Sequence, residues 1–184
     1  MHEELIIAGA GGQGIVLTGE LLCLAVMEDD KNTTGYPSYG ATMRGGKATY
    51  TVIVSSEEIG SPISEYPDSL LAMNKPSLSA FAKIVKPNGL IIVNKSLVDW
   101  TDGRKDVWII EIRATEIAQE LGDARMANLV MLGAYLGAKE IVSLEQVKEA
   151  LKAFAVQKGW SETVTALNEK ALEAGFNKTN KPCA

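Results

Sequence analysis

Near its start the chain runs Leu5-Ile6-Ile7-Ala8, then Gly9-Ala10-Gly11-Gly12-Gln13-Gly14, then the mostly apolar stretch from Ile15 to Met27. No other segment restricts the fold as much. Four apolar residues stopped by glycine read as a buried strand and a tight turn, and Ile15 to Met27 reads as a helix that is apolar on most sides. Gly9, Gly11 and Gly14 stand at G-x-G-x-x-G spacing, so the backbone can turn sharply and approach a ligand closely. The amides at the helix start are then free to donate to phosphate oxygens. The same glycines also suit a turn that is tight only so that helix and sheet pack together. Either way, strand, turn and helix in this order begin an α/β domain with a mostly parallel sheet.

The elements that follow extend this pattern. Lys47 to Ser55, rich in β-branched residues around Tyr50, reads as a strand, and Ser69 to Met73 as a short apolar one. Leu78, Phe81, Ala82 and Val85 recur at helical spacing, and Pro87-Asn88-Gly89 ends that helix. Leu90 to Val93 is uniformly apolar, as expected of a strand with helices on both faces, and Val107 to Ile112 reads as another strand. Between the first helix and Lys47, proline and two flanking glycines in Gly35-Tyr36-Pro37-Ser38-Tyr39-Gly40 predict an exposed, shaped loop. The C-terminal part reads as helical, over Ala114 to Leu121 and Ala124 to Val142. Gly133, Ala134, Gly137 and Ala138 there permit close helix approach. A further helix starts at the capping box Ser143-Leu144-Glu145-Gln146, and a last one is capped by Ser161 and closed by Gly175. The expectation is a three-layer Rossmann-like α/β fold with a mostly parallel sheet and a helical C-terminal region, forming one domain over residues 1–184.

Composition limits what such a domain can do. Of the 184 residues 46% are hydrophobic and 22% charged, enough for one substantial core. Lys and Arg total 18 against 23 Asp and Glu, with no basic block, which argues against nucleic acid as a partner. No apolar stretch is long enough for a membrane span, and Met1 to Glu4 runs straight into a short strand rather than a signal sequence. Cys23, in an apolar helix, and Cys183, in the tail, read as free thiols, and a cytoplasmic location is expected.

Residues able to do chemistry are few. His2 is the sole histidine and lies at a terminus, and two distant cysteines offer neither a zinc nor an iron–sulfur ligand set. Glu65 and Asp68 have no nucleophile or second carboxylate assigned to them. Asp99, Asp102 and Asp106, around Trp100 and Gly103, read as an exposed turn. A dinucleotide site needs an acidic residue after a second strand, yet Glu28, Asp29 and Asp30 precede any such strand. No Lys-Ser/Thr pair follows the glycines, which weighs against a P-loop. Binding features are clearer. Arg44 followed by Gly45 and Gly46 leaves a guanidinium little covered and suited to a forked contact with phosphate or carboxylate. Tyr36 and Tyr39 suit stacking on a flat group or on a partner chain; a purely internal role for this loop is the alternative. The candidate binding residues are Gly11, Gly12, Gln13, Gly14, Tyr39, Arg44, Gly45 and Gly46, with no catalytic and no metal-ligating set.

Taken together, G-A-G-G-Q-G-I (Gly9 to Ile15), P-S-Y-G-A-T-M-R-G-G (Pro37 to Gly46), E-I-G-S-P-I (Glu58 to Ile63), P-D-S-L-L-A-M-N (Pro67 to Asn74) and A-N-L-V-M-L-G-A (Ala127 to Ala134) resemble a known family. It is the gamma subunit, or gamma-type domain, of the thiamine-diphosphate-dependent 2-oxoacid:ferredoxin oxidoreductases. The resemblance is strongest to 2-oxoglutarate and branched-chain (2-ketoisovalerate) types. Ala41 and Thr42 stand where many relatives have proline and glutamate, so no contact of that glutamate is carried over. The resemblance implies a complex with a thiamine-diphosphate- and Mg-binding subunit, an alpha-type subunit and a ferredoxin-like iron–sulfur subunit. Its implied reaction turns a 2-oxoacid, 2-oxoglutarate first, into an acyl-CoA such as succinyl-CoA, with electrons passed to ferredoxin or a related acceptor. This chain would hold no tightly bound cofactor itself and would form a wall on the CoA side of the site. A stand-alone nucleotide- or flavin-binding module is the alternative.

Overall fold

The computed structural model describes residues 1–29, 31–40, 45–99 and 104–179. Six strands form one sheet in the order β2-β3-β1-β4-β5-β6: β1 (His2–Ala10), β2 (Asn32–Tyr39), β3 (Lys47–Ser55), β4 (Ser69–Ala72), β5 (Leu90–Asn94) and β6 (Trp108–Ile112). β1, β4, β5 and β6 are parallel neighbours, whereas β3 runs antiparallel to both β1 and β2. The helices are α1 (Ile15–Met27), α2 (Lys75–Phe81), α3 (Ala114–Glu120), α4 (Ala127–Ala138), α5 (Leu144–Lys158) and α6 (Glu162–Thr179).

Alternate residues of the central strands feed two cores, as the pleat requires. Leu5, Ile7, Val52, Leu71 and Ile92 join one core with α1, α4 and α5, while Ile6, Ala8, Leu70, Ile91 and Val93 pack on the other face against Leu78, Ala82 and Val85. The result is three layers with the heavier helical layer on one side. Every residue of β5 is buried, as its unbroken apolar run predicts. The capping box at Ser143 is present in both directions, and Ser161 Oγ accepts from the Val164 amide.

Three expectations from the sequence change. Gly35 to Tyr39 lies within strand β2 rather than a loop. β2 is an edge strand, where Pro37 removes no hydrogen bond from the sheet interior. Gly35 is there because of Tyr50: a Cβ at Gly35 would lie 2.3 Å from the Tyr50 hydroxyl, and one at Gly19 of α1 would lie 2.2 Å from its ring. The stretch Ala124 to Val142 is a short 3-10 turn at Ala124–Met126 followed by α4, which stops at Ala138. Gly175 does not close the last helix, which runs on to Thr179. It is the contact point with α4, opposite the small residues near Gly133.

A polar group sits between sheet and helices at the opposite end from the glycine turn. Glu3, 6% exposed, accepts from Ser69 Oγ at 2.5 Å, from the Tyr135 hydroxyl at 3.1 Å and from Lys139 Nζ at 3.1 Å. Burial first, and then the Glu3 carboxylate, hold the Tyr135 phenol well above its ordinary value. Burial, followed by Cys23 and Glu20, pushes Tyr50 up to about 12.

Both phenols ionise near pH 10 in an unfolded chain, so above about pH 10 the folded chain holds protons that the unfolded chain has lost. Their contribution to stability is complete below that pH and is lost as pH rises toward the folded values. Denaturant titrations are expected to give constant stability up to about pH 9 and a decline above about pH 10. Tyrosinate absorbance should show two of the five tyrosines ionising only as the fold opens. Normal ionisation of all five in the folded state would contradict this.

Candidate functional site

The carboxyl ends of β1, β4, β5 and β6, the end of β2 and the start of β3 share one edge of the sheet: Ala10 is opposite Lys47, and Tyr39 is opposite Ala48. In open α/β sheets ligands bind outside the carboxyl ends of the strands, where connections diverge to opposite sides. The glycine turn is at that position, between antiparallel β3 and parallel β4.

The turn is built from the sequence outward. Gly14 caps α1 from a left-handed conformation, φ 72°, and Gly12 has φ 97°, which side-chain-bearing residues rarely adopt. Gln13 folds back so that its Oε1 accepts from the Ala10 amide at 2.7 Å and from Asn74 Nδ2 at 2.9 Å. Asn74 caps α2 through its Oδ1, which accepts from the Ser77 amide at 3.0 Å. From the helical side, Asn128 Nδ2 donates to the Gly14 carbonyl at 3.3 Å and to Thr18 Oγ1 at 3.1 Å. The turn is therefore held by side chains from β4's end and from α4.

The predicted binding residues are placed as follows. The Gly11 amide donates to the Gly46 carbonyl at 2.9 Å, and the Gly45 amide to the Gly11 carbonyl at 3.4 Å. The two glycine-rich segments, separate in sequence, are thus bonded to one another. Gln13 donates its amide to Ala10 at 3.0 Å, so the Gly11 and Gln13 amides serve the turn itself. The Gly12 and Gly14 amides donate no such bond among the described residues. Tyr39, 57% exposed, ends β2 on the same edge. Arg44 lies outside the described residues, as do Ala41 and Thr42.

Beyond the turn, toward β4 and β5, is a cleft of about 250 Å³, reached by Gly12, Gln13, Met73, Asn94, Leu97 and Thr115 and closed by Ala124 to Asn128. Asn94, at the end of β5, is fully buried; its Nδ2 donates to Thr115 Oγ1 at 2.9 Å and its Oδ1 has no partner among the described residues. Arg125 at the rim is paired with Asp123 at 2.6 Å. A larger depression, about 490 Å³, lies at β6 and α3, where Lys95 pairs with Glu111 and Arg113 with Glu116. Both lie at the carboxyl edge of the sheet, and the smaller cleft is the one that adjoins the glycine turn.

Sequence reasoning missed Asn74, Asn94, Thr115 and Asn128. Asn74 and Asn128 fall inside the quoted P-D-S-L-L-A-M-N and A-N-L-V-M-L-G-A segments, and Asn74 before Lys75-Pro76 is a helix-start signal. Nothing local distinguishes Asn94 from any polar residue at a strand end. The dinucleotide reading gains nothing from the fold, because β4, the parallel neighbour of β1, ends at Ala72 and is followed by Met73 and Asn74, not by an acid.

This geometry belongs to a recognisable class: the chain matches the pyruvate ferredoxin/flavodoxin oxidoreductase family over residues 4–178 and belongs to it. Among its relatives is the ketoisovalerate oxidoreductase subunit VorA of Methanothermobacter thermautotrophicus, 38% identical over 92% of this chain and 35% of that protein. The chain thus spans about a third of that relative's length. It is also 35% identical to the 2-oxoglutarate synthase subunit KorC of Methanothermobacter marburgensis, over 83% of this chain and 86% of that one. The keto/oxoacid ferredoxin oxidoreductase gamma subunit of Geobacter sulfurreducens has the same fold, with TM-score 0.79, 29% identity, and 96% of this chain and 98% of that one covered.

Proposed function

We propose that the chain is the gamma subunit, or gamma-type part, of a multisubunit enzyme that oxidatively decarboxylates a 2-oxoacid to an acyl-CoA and passes the electrons to ferredoxin or a related acceptor. The observation that carries this reading is the near end-to-end match to separate subunits such as KorC and the Geobacter gamma subunit. Thiamine diphosphate, Mg and iron–sulfur clusters belong to partner subunits in this account. Two cysteines and one histidine supply no cluster's thiolate set.

In this reading the chain's own contribution is a binding wall on the CoA side, made of Gly12, Gly14, Tyr39 and the loop through Arg44 to Gly46. The hydrogen bonds between Gly11 and the Gly45–Gly46 pair support treating the two loops as one surface. We take 2-oxoglutarate as the substrate; the 38% identity to a ketoisovalerate enzyme subunit favours a branched-chain 2-oxoacid as the second reading. Comparison of kcat/KM for the two acids on the assembled enzyme decides between them.

Arg44→Ala in the assembled complex is expected to raise the apparent KM for CoA about tenfold, the scale of one lost charge-assisted contact, with assembly intact. Unchanged CoA kinetics in an intact complex would remove the CoA role. Weakened assembly with normal CoA kinetics once assembled would make the loop an interface instead.

A further inference from the structure

We propose that Gln13 contacts the ligand through its side chain: its amino group donates to an amide carbonyl of the pantetheine arm of CoA, taken up by the cleft beside the glycine turn. This rests on the CoA-side reading above and does not require Arg44.

The orientation of Gln13 is fixed from the backbone. The Ser77 amide can only donate, so the Asn74 atom that caps α2 is its oxygen, and the other end of that side-chain amide is a donor. That end, Asn74 Nδ2, meets Gln13 at 2.9 Å, and the Ala10 amide, also only a donor, meets the same Gln13 atom at 2.7 Å. The atom held by both is therefore the Gln13 oxygen; a flipped side chain would set donor against donor twice. Its Nε2 is left without a partner among the described residues. Gln13 is half-buried, and Nε2 keeps accessible surface, unlike the enclosed Asn94 Oδ1.

Gln13 lines the cleft, and with its oxygen already holding two donors, what it has to offer a ligand is the amino group. Asn94 and Asn128 line the cleft too, but the first gives its amino group to Thr115 and the second to Gly14 and Thr18. Arg125 is the one charged residue among the described residues lining it, and it is 88% exposed and paired with Asp123. A phosphate would find no free cation there. A neutral carbonyl finds a directed donor beside the apolar surface of Met73 and Leu97. At about 250 Å³ the cleft falls below the roughly 300 Å³ at which pockets for whole drug-sized ligands begin, so it takes a stretch of a longer ligand. CoA has an uncharged stretch of this kind in its pantetheine arm, where amide carbonyls alternate with methylene groups.

The test is competition against CoA in the assembled complex by S-methylpantetheine, which has no thiol to be acylated and no charge. Gln13→Glu keeps an acceptor for Ala10 and Asn74 and puts an oxygen where the amino group was. It is expected to raise the S-methylpantetheine inhibition constant and the KM for CoA each about tenfold, the scale of one hydrogen bond, with kcat and melting temperature little changed. Because the inhibitor is uncharged, the new carboxylate acts on it only through the lost donor. Asn74→Asp is the second variant: it keeps the α2 cap but removes the donor that holds the Gln13 oxygen, turning that oxygen toward the cleft, and the same rise is expected. Unchanged inhibition in both variants, with Arg44→Ala still raising the KM for CoA, would overturn the role of Gln13 and leave the CoA-side wall standing. Unchanged CoA kinetics in all three variants would overturn both. Weakened assembly with unchanged inhibition would mean that the donor meets a carbonyl of a partner chain, and would overturn the assignment to CoA. So would a native complex in which S-methylpantetheine does not compete with CoA.

Discussion

Gly175→Ala is expected to destabilise the chain by about 3 kcal/mol or more, at or beyond the upper end for overpacking a core. A Cβ at Gly175 would stand 1.9 Å from the Val130 carbonyl oxygen, and one at Gly133 would stand 2.0 Å from that of Leu172. The obstacles are backbone atoms of the facing helix, so no rotamer change relieves them; α4 and α6 must move apart. Leu132, Ala171 and Leu172, all fully buried, would lose their packing with that movement. For a chain of this size each kcal/mol shifts the melting temperature by about 2–4 °C, so a drop of about 6–12 °C is expected. Gly60→Ala, where nothing among the described residues lies within 4 Å of the new Cβ, is the control and should leave stability within about 0.5 kcal/mol. Equal melting of Gly175→Ala and the native chain would mean that α4 and α6 do not pack in this way.

Glu3→Ala is expected to cost about 3 kcal/mol, for a different reason. Its carboxylate is the acceptor for the Ser69 hydroxyl and for the Tyr135 hydroxyl, both groups with no exposure, and it pairs with Lys139. Truncation leaves two buried donors unmet, each costing about 1–3 kcal/mol, while the half-exposed Lys139 loses little because water can replace its partner. Urea titration of Glu3→Ala and of the double variant Glu3→Ala/Tyr135→Phe separates the contributions. Removing the orphaned hydroxyl should restore part of the loss. A double variant no more stable than the single one would contradict the assigned role of Tyr135.

How much of this was legible in the sequence depended on where each interaction partner lies along the chain. Elements with local signatures could be read directly: the apolar run of β5 and the capping box at Ser143; the spacing of Leu78, Ala82 and Val85 gave their shared buried face, although the α-helix ends at Phe81 and Ala82–Ile84 is a 3-10 turn. β2 could not. Its proline and glycines are turn residues by composition, and only the ring of Tyr50, brought alongside by β3, explains Gly35 as a strand residue. Gly175 has the look of a helix terminator for the same reason, since the helix that requires a glycine there is α4, some forty residues away. The glycine turn was legible as a phosphate-binding candidate, but not that Gly11 and Gln13 spend their amides on the turn itself. Nor was the burial of Asn94 at the end of β5, whose partner Thr115 comes from α3.

The central claim is that this chain works as a gamma-type part of a 2-oxoacid oxidoreductase. Its most direct test is native isolation of the chain from its source extract, identification of stoichiometric partners by mass spectrometry, and assay of the isolate for CoA-dependent 2-oxoacid oxidation with ferredoxin as acceptor. The account predicts co-isolation with a thiamine-diphosphate-binding subunit and an iron–sulfur subunit, and turnover that requires CoA. Isolation of the chain alone, carrying its own nucleotide or flavin and without that activity, would contradict it.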